Sequence, residues 1–375
     1  MKIILSGGGT GGHTMPLIAV ADQLQADDDS VELLAVAERT PQSKPLREDI
    51  RIRYIYSGKY RRYYGESWGD RVRDWKTLWL NLRDVFKVVV GFAQSVWLLQ
   101  REQPDLIFIK GGYVSLPLGF AARLLGVAYV THDSDTVPGL TNRLLASGAE
   151  RNFVAFPVEN YSYNKHKLLQ TGLPVRQMFE QVDYDQARRV LGLGPGDCRV
   201  VIIGGSSGAR QINLAAAKIS QQLVQFASVL HVTGRGEQHE LTKAACTPSD
   251  DYELREFVYE ELALELAAAD VVVTRAGATA LAELAAISAT AVVIPHPLLT
   301  DAHQLKNAQA VSSYDAGIII NQELLDSDPT LLLATVDELL RDQQRRKWLA
   351  GNLHRMFKPD AARVTAQEIR NVIEN

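Results

Sequence analysis

The chain has 375 residues, 46% of them hydrophobic and 22% charged, with a formal net charge of −4 at pH 7. That length favours two domains, each able to bury its own core, and the acidic excess argues against a general nucleic-acid binder, whose footprint is basic. Two cysteines, Cys198 and Cys246, are too few for a disulfide framework or a zinc cluster and read as buried small hydrophobes.

The chain opens Met1-Lys2-Ile3-Ile4-Leu5 and meets glycines at once. So short an apolar run makes a first buried strand rather than a signal-peptide core. Short apolar runs then alternate with helical patterns, the mark of an α/β fold with a parallel sheet. Strands are expected over 2–6, 31–35, 106–110, 128–131 and 152–155, then 199–203, 229–233, 271–274 and 291–294. Helices are expected over 16–25, 211–225 and 278–286.

Between the second and third of these strands, Leu78, Trp79, Leu82, Val85, Phe86, Val89, Ala93, Val96 and Trp97 recur at helical spacing. Most of this stripe reads as the face of a core helix. Lys59, Arg61, Arg62, Arg71, Arg73 and Lys76 lie upstream among Tyr60, Tyr63 and Tyr64, a mixture that also suits an anionic bilayer surface. The apolar stretch 85–99, broken by Lys87 and Gln94, falls short of the roughly 20 residues that a membrane span needs. A soluble protein that touches a bilayer is the expectation. Thr171-Gly172-Leu173-Pro174 marks a join between two halves. Pro359-Asp360 starts a last helix with apolar Ala362, Ile369, Val372 and Ile373, free to pack on either half.

Both halves use one device, a strand that ends in glycines and feeds a helix. In the first, Gly8-Gly9-Thr10-Gly11-Gly12 leads to His13. No Gly-Lys-Ser/Thr follows, so this is not a Walker A loop. Asp28 and Asp29 precede the second strand instead of ending it, which argues against a dinucleotide fingerprint. A plain tight turn accounts for the glycines equally well, but His13 at its mouth has the chemistry of a general base. In the second half, Gly204-Gly205-Ser206-Ser207-Gly208-Ala209-Arg210 would set glycines and hydroxyls at a helix N-terminus, which favours phosphate. Arg275-Ala276-Gly277-Ala278 follows another strand, with Glu283 nearby; that acid suits either a ribose diol or the helix dipole. Asp133-Ser134-Asp135 could attract a hard cation, but two carboxylates are few for a site and an exposed polar loop explains them as well. No metal is expected.

Taken in order, five segments resemble the MurG family of glycosyltransferases over nearly the whole chain. They are Gly8 to His13 with Pro16, Lys110-Gly111-Gly112-Tyr113-Val114-Ser115, Val137-Pro138-Gly139-Leu140-Thr141-Asn142-Arg143, Gly204 to Arg210, and Arg275 to Ala278 with Glu283. The resemblance implies a GT-B fold, two Rossmann-like domains facing across a cleft. Residues 1–172 would form an acceptor and membrane-facing domain, 173–357 a UDP-sugar domain, and 358–375 a helix crossing back. It implies inverting transfer of N-acetylglucosamine from UDP-GlcNAc to lipid I, the polyprenyl-diphosphate-linked muramoyl peptide, giving lipid II for peptidoglycan. It needs no cofactor and no nucleic acid, and places the enzyme peripherally on the anionic cytoplasmic face of the cell membrane.

The same resemblance assigns residues. His13 would be the base, with Tyr113 and Asp133 near the acceptor, and Thr10, Gly11 and Gly12 would face the transferred sugar. Ser206 would hold the diphosphate, Glu283 the ribose and the backbone of Val258 the uracil. Ala278, Thr279, Ala280, Leu281 and Ala282 would line the nucleotide, His303 and Gln304 would read the sugar hydroxyls, and Arg176 matches another donor position. The chain departs from the family at His132-Asp133-Ser134-Asp135, where His-Glu-Gln-Asn is common, so that Asp135 stands where an Asn would contact the sugar. His303 also replaces the first of a glutamine pair. These departures leave two further readings, a related transferase with another lipid or small acceptor and a non-catalytic nucleotide-sugar-binding partner in a cell-wall complex.

Overall fold

A computed structural model describes the chain except residues 8–10, 29, 39–46, 59–74, 206–207, 248, 298–301, 359 and 375, and except the side chains of 11–13, 27 and 75–78. It divides into two compact units, Met1–Arg176 with Asp360–Asn375, and Gln177–Pro359.

In the first unit β1 (Lys2–Ser6), β2 (Glu32–Ala37), β3 (Arg51–Tyr54), β4 (Leu106–Ile109), β5 (Tyr129–Asp133), β6 (Arg151–Val154) and β7 (Leu168–Gln170) form one parallel sheet. Its order is β3-β2-β1-β4-β5-β6-β7. Strands β1, β2 and β4 are largely apolar on both sides because helices cover both faces. Successive residues go to opposite cores, as the twofold side-chain period demands. Ile3, Leu5 and Phe108 pack with Leu17, Val20 and Leu24 of α1 (Gly11–Asp27). Ile4, Ile107 and Ile109 pack with Leu98 and Leu99 of α2 (Trp75–Glu102) and Leu118 of α3 (Ser115–Leu125). After β5 comes the short α4 (Leu140–Leu145).

The second unit repeats the plan. Strands β8 (Arg199–Ile203), β9 (Ser228–Val232), β10 (Tyr252–Arg255), β11 (Val271–Thr274), β12 (Ala291–Val293) and β13 (Ile318–Ile319) lie in the order β10-β9-β8-β11-β12-β13, all parallel. The helices that matter below are α5 (Arg210–Lys218), α6 (Ala278–Ala286) and α7 (His303–Ser313). Each sheet reverses strand order once, between β1 and β4 and between β8 and β11. At such switch points, beyond the carboxyl ends of the strands, open α/β sheets bind ligands.

Several expectations need correction. The stripe on α2 is no core face: Trp79, Phe86, Val89 and Trp97 are 61%, 66%, 61% and 58% exposed, and Leu82, Val85 and Ala93 are exposed too. The helix docks instead through Gly91, Ser95, Leu98 and Leu99. A Cβ on Gly91 would stand 1.8 Å from the Tyr56 carbonyl oxygen, so glycine is what lets the helix approach there. Strands β3, β7, β10 and β13 lie outside the expected runs: β3 and β10 carry charged residues, and β7 and β13 are only three and two residues long. They are sheet edges, where Arg51 pairs with Glu32 and Arg53 with Glu102, charges that also guard an edge against further pairing. The helix expected over 211–225 stops at Lys218, and a separate turn follows at Ser220–Leu223. The cysteines are half-buried at the rim of the second core.

The last helix, α8 (Ala361–Glu374), belongs to the first unit. Ala366 and Ile369 enter the cluster of Leu17, Val20 and Leu24, and Arg370 Nη2 donates to the Leu24 carbonyl at 2.7 Å. Ile369→Ala should therefore destabilise the first unit by about 2–4 kcal/mol, the usual cost of such a truncation. Urea unfolding followed by tryptophan fluorescence reports mainly on that unit, since only Trp348 of the five tryptophans lies outside it. An unshifted transition would mean that α8 contributes nothing there.

Candidate active site

The switch point of the first sheet is framed by the ends of β1 and β4. His13 is the third residue of α1, just beyond β1; Gly11 and Gly12 open that helix. The His13 side chain, like Thr10, lies outside the described residues. Beyond β4, Gly111 and Gly112 adopt φ of 97° and 86°, a left-handed path that favours glycine. This turn is tied down by Ser115 Oγ, which donates to the Gly111 carbonyl at 3.0 Å, and by Thr141 Oγ1, which donates to that of Gly112 at 3.0 Å. Tyr113 follows; burial and its hydrogen bond to Glu38 push its hydroxyl above the usual tyrosine range.

Beside that turn lies a buried polar network. Lys110, only 2% exposed, reaches His132 Nδ1 at 3.0 Å and the hydroxyl of Ser134. His132 Nε2 lies 2.9 Å from the Gly172 carbonyl, so Nε2 carries the proton and Nδ1 accepts from the ammonium. Burial, then the neighbouring ammonium, hold this imidazole well below the usual histidine range. Burial also lowers Lys110 to about 8, opposed by Asp133 and Asp135.

Asp133 is 4% exposed, which overturns the exposed-loop reading for that residue; Asp135 is half-buried. Asp133 Oδ1 accepts from Gly139 N at 3.1 Å and Asn142 Nδ2 at 3.0 Å, and Oδ2 from the Tyr163 hydroxyl at 2.9 Å. Burial raises its carboxyl to about 6 against these bonds. With both oxygens engaged, Asp133 braces the turn. Tyr161, stacked on Tyr163 with centroids 6.4 Å apart, donates to the Asp135 carbonyl at 2.9 Å. Neither aspartate joins a group of three metal-capable residues among the described ones. Of this network the sequence marks Asp133, and Lys110 and Asn142 lie within the segments of the resemblance; nothing in it points to Tyr161 or Tyr163.

The second unit presents an anion cradle. Between β8 and α5, Gly205 and Gly208 adopt φ of 89° and 75°, and a Cβ on Gly208 would stand 2.2 Å from the Thr233 carbonyl oxygen. Ser206 lies outside the described residues. Neither α5, capped by Ala209, nor α6, capped by Gly277, has a side-chain cap. Their first-turn amides and positive dipole ends, on the adjacent strands β8 and β11, suit a phosphate.

Beneath them Arg275 is buried, with Nη1 on Gln322 Oε1 at 2.7 Å and the Ile294 carbonyl at 3.2 Å, and Nη2 on Gln211 Oε1 at 3.3 Å. Burial lowers it to about 10, so it stays charged at neutral pH. Along α6, Ala278, Leu281 and Ala282 are buried, whereas Thr279, Ala280 and Glu283 are half-buried and reach the surface. Val258, beyond β10, is buried between exposed Phe257 and Tyr259. His303 opens α7, and Gln304 Oε1 accepts from His296 N at 2.9 Å, which leaves the amide NH2 as the donor end. Arg176 groups with the first unit, whose end falls four residues past the expected join. A cavity of about 390 Å3 opens at the opposite end of this sheet, beside Tyr184, Asp270 and Arg346. There Asp270 is already held by Arg188 at 3.3 Å and Arg346 at 3.2 Å, so the glycine turns are the better candidate site.

Residues 3–154 match the glycosyltransferase family 28 N-terminal domain and residues 199–364 the glycosyltransferase family 28 C-terminal domain. The chain is 33% identical, over 100% of both proteins, to the UDP-N-acetylglucosamine--N-acetylmuramyl-(pentapeptide) pyrophosphoryl-undecaprenol N-acetylglucosamine transferase of Moorella thermoacetica. It is 30% identical to the protein of the same name from Clostridium kluyveri, over 100% of this chain and 99% of that one. The crystal structure of Acinetobacter baumannii MurG aligns over 99% of each chain with a TM-score of 0.74 at 25% identity.

The Asp133 environment makes a pH prediction. Its folded carboxyl titrates near 6 against 3.8 for the ordinary group, so the folded state binds the proton more tightly and its contribution to stability falls as pH rises through that window. The wild-type unfolding free energy minus that of Asp133→Asn should decline between about pH 4 and pH 6 and level off above. A difference that rises with pH would contradict the burial.

Proposed function

The chain belongs to glycosyltransferase family 28, among the UDP-N-acetylglucosamine--N-acetylmuramyl-(pentapeptide) pyrophosphoryl-undecaprenol N-acetylglucosamine transferases, and on that premise we propose that it moves N-acetylglucosamine from UDP-GlcNAc to lipid I with inversion, giving lipid II. The observation that carries this reading is identity along the full length of both units. The uncapped helix ends at the second switch point support it.

In this mechanism His13 takes the proton of the acceptor hydroxyl, whose oxygen forms the new bond to the anomeric carbon as the bond to UDP breaks. The leaving diphosphate gathers negative charge, which prearranged donors stabilise most effectively. Ser206 and the first amides of α5 meet it, with Arg275 beneath. Glu283 accepts from the ribose, the Val258 backbone meets the uracil, and the 278–282 run lines the nucleotide mainly through Thr279 and Ala280. His303 and the Gln304 amide read the sugar, Thr10, Gly11 and Gly12 face it, and Arg176 adds a donor contact. Tyr113 and Asp133 stand near the acceptor, Asp133 by bracing the turn that carries Asp135, and Asp135 takes the place of the Asn that would contact the sugar.

We further place the enzyme on the anionic inner face of the membrane. No helix among the described residues is long and apolar enough to cross a bilayer. The exposed face of α2 continues into Phe120 and Leu124 of α3, 37% and 66% exposed, around a shallow groove of about 400 Å3 lined by Val88, Val89, Phe92, Pro117 and Phe120. Arg101 lies over the Trp97 ring at 5.2 Å, the pairing of cation and aromatic that suits a headgroup layer.

Radiolabel from UDP-GlcNAc should enter a lipid-extractable product when lipid I and detergent are supplied; its absence would refute the reading. His13→Ala should lower turnover by about 10²–10⁴-fold, the usual worth of a general base, while calorimetry finds donor binding intact. Near-normal turnover would remove His13 from that role. Phe86→Glu with Trp97→Glu, both at exposed positions, should weaken co-sedimentation with phosphatidylglycerol vesicles and leave detergent-phase activity unchanged. Equal sedimentation would dismiss α2 as the membrane face.

A further inference from the structure

The residue that the proposed reaction leaves unexplained is Lys110. It follows β4 directly, at the strand flanking the switch point, and its side chain is buried. A buried ammonium is costly unless paired, yet none of the three donors on Asp133 is Lys110. Its bonds go to neutral acceptors, His132 Nδ1 and the hydroxyl of Ser134. Ser134 separates Asp133 from Asp135, so the ammonium sits against the middle of the turn that carries both carboxylates. Asp135 is half-buried, and its carbonyl is pinned by Tyr161.

We propose that Lys110 is a positioning residue for the acceptor: its ammonium clamps the 132–135 turn through His132 and Ser134 and offsets the charge of Asp135, so that an anionic diphosphate-linked acceptor is not repelled. The inference rests on the reading of the chain as a transferase to a lipid diphosphate. It also bears on Asp135, which stands where the resemblance puts an Asn. An aspartate at 135 adds negative charge where the substrate is itself negative, and the buried ammonium holds Ser134, the residue directly before it. Both carboxylates act on Lys110, and Lys110 acts on Asp133.

The test is a double-mutant cycle with lipid I and UDP-GlcNAc at one pH. Lys110→Met keeps the bulk of the stem and removes the charge. It should lower kcat/KM for the acceptor by about tenfold, within the range of directly coupled pairs, chiefly through KM and with UDP-GlcNAc affinity unchanged. Adding Asp135→Asn to Lys110→Met should restore most of the loss, because the charge needing compensation is then gone. A purely structural lysine would give a defect that the second substitution does not repair, and that outcome overturns the proposal. So does a Lys110→Met enzyme as active as wild type. The same cycle with Lys110→Gln, which keeps a donor for the turn, decides the matter if the methionine variant does not fold. Wild-type protein inactive on lipid I would refute the transferase reading itself, a result distinct from either failure of the cycle.

Discussion

A parallel strand whose two faces are both covered by helices has only its ends left for chemistry, and that constraint governs this molecule. In β4 all four residues are buried, and Ile107 and Phe108 serve opposite cores. Function is therefore confined to the turns leaving the carboxyl ends of the strands. The glycines there follow from the same constraint. Between β8 and α5 the chain turns against the Thr233 carbonyl so closely that a side chain at 208 would overlap it, and the reward is a set of amides aimed outward.

How much of this was legible in the sequence depended on burial. Strands β1, β8 and β11 and helix α6 run over the expected residues, because continuous apolar runs bounded by glycine leave few alternatives. Edge strands such as β3, with its Arg51 and Arg53, carry no such run and were invisible. The α2 stripe misled for a related reason. Helical periodicity reports that one face is apolar, not what covers it, and the face that docks is set by Gly91 and Ser95 instead. The glycine turns of the site could be read because few other residues tolerate their backbone. The Asp133 network could not, because its partner Tyr163 lies 30 positions away and arrives only through the pairing of β5, β6 and β7.

The two units also share a feature that their sequences hide. Strands β4 and β11 hold the same place in their sheets, next to the first strand across the switch point. Each is followed at once by a buried base, Lys110 in one and Arg275 in the other, and then by a glycine turn into a helix. A cation here adds to the positive ends of the helices, so it raises the cost of folding unless negative charge answers it.

The units answer it differently. The first supplies two carboxylates of its own, Asp133 and Asp135, so its cation is answered before any ligand arrives. In the second, the acceptors around the Arg275 guanidinium are two amide oxygens and a backbone carbonyl, all neutral, and Asp326 acts on it only at a distance. Among the described residues no carboxylate hydrogen-bonds it, which leaves that charge for a ligand. In the proposed reaction, a diphosphate whose charge grows as the sugar departs suits the site whose cation is unanswered, and an acceptor hydroxyl that must lose a proton suits the one whose cation is answered from within. The division of labour proposed for the two units is thus matched by where each keeps its counter-charge.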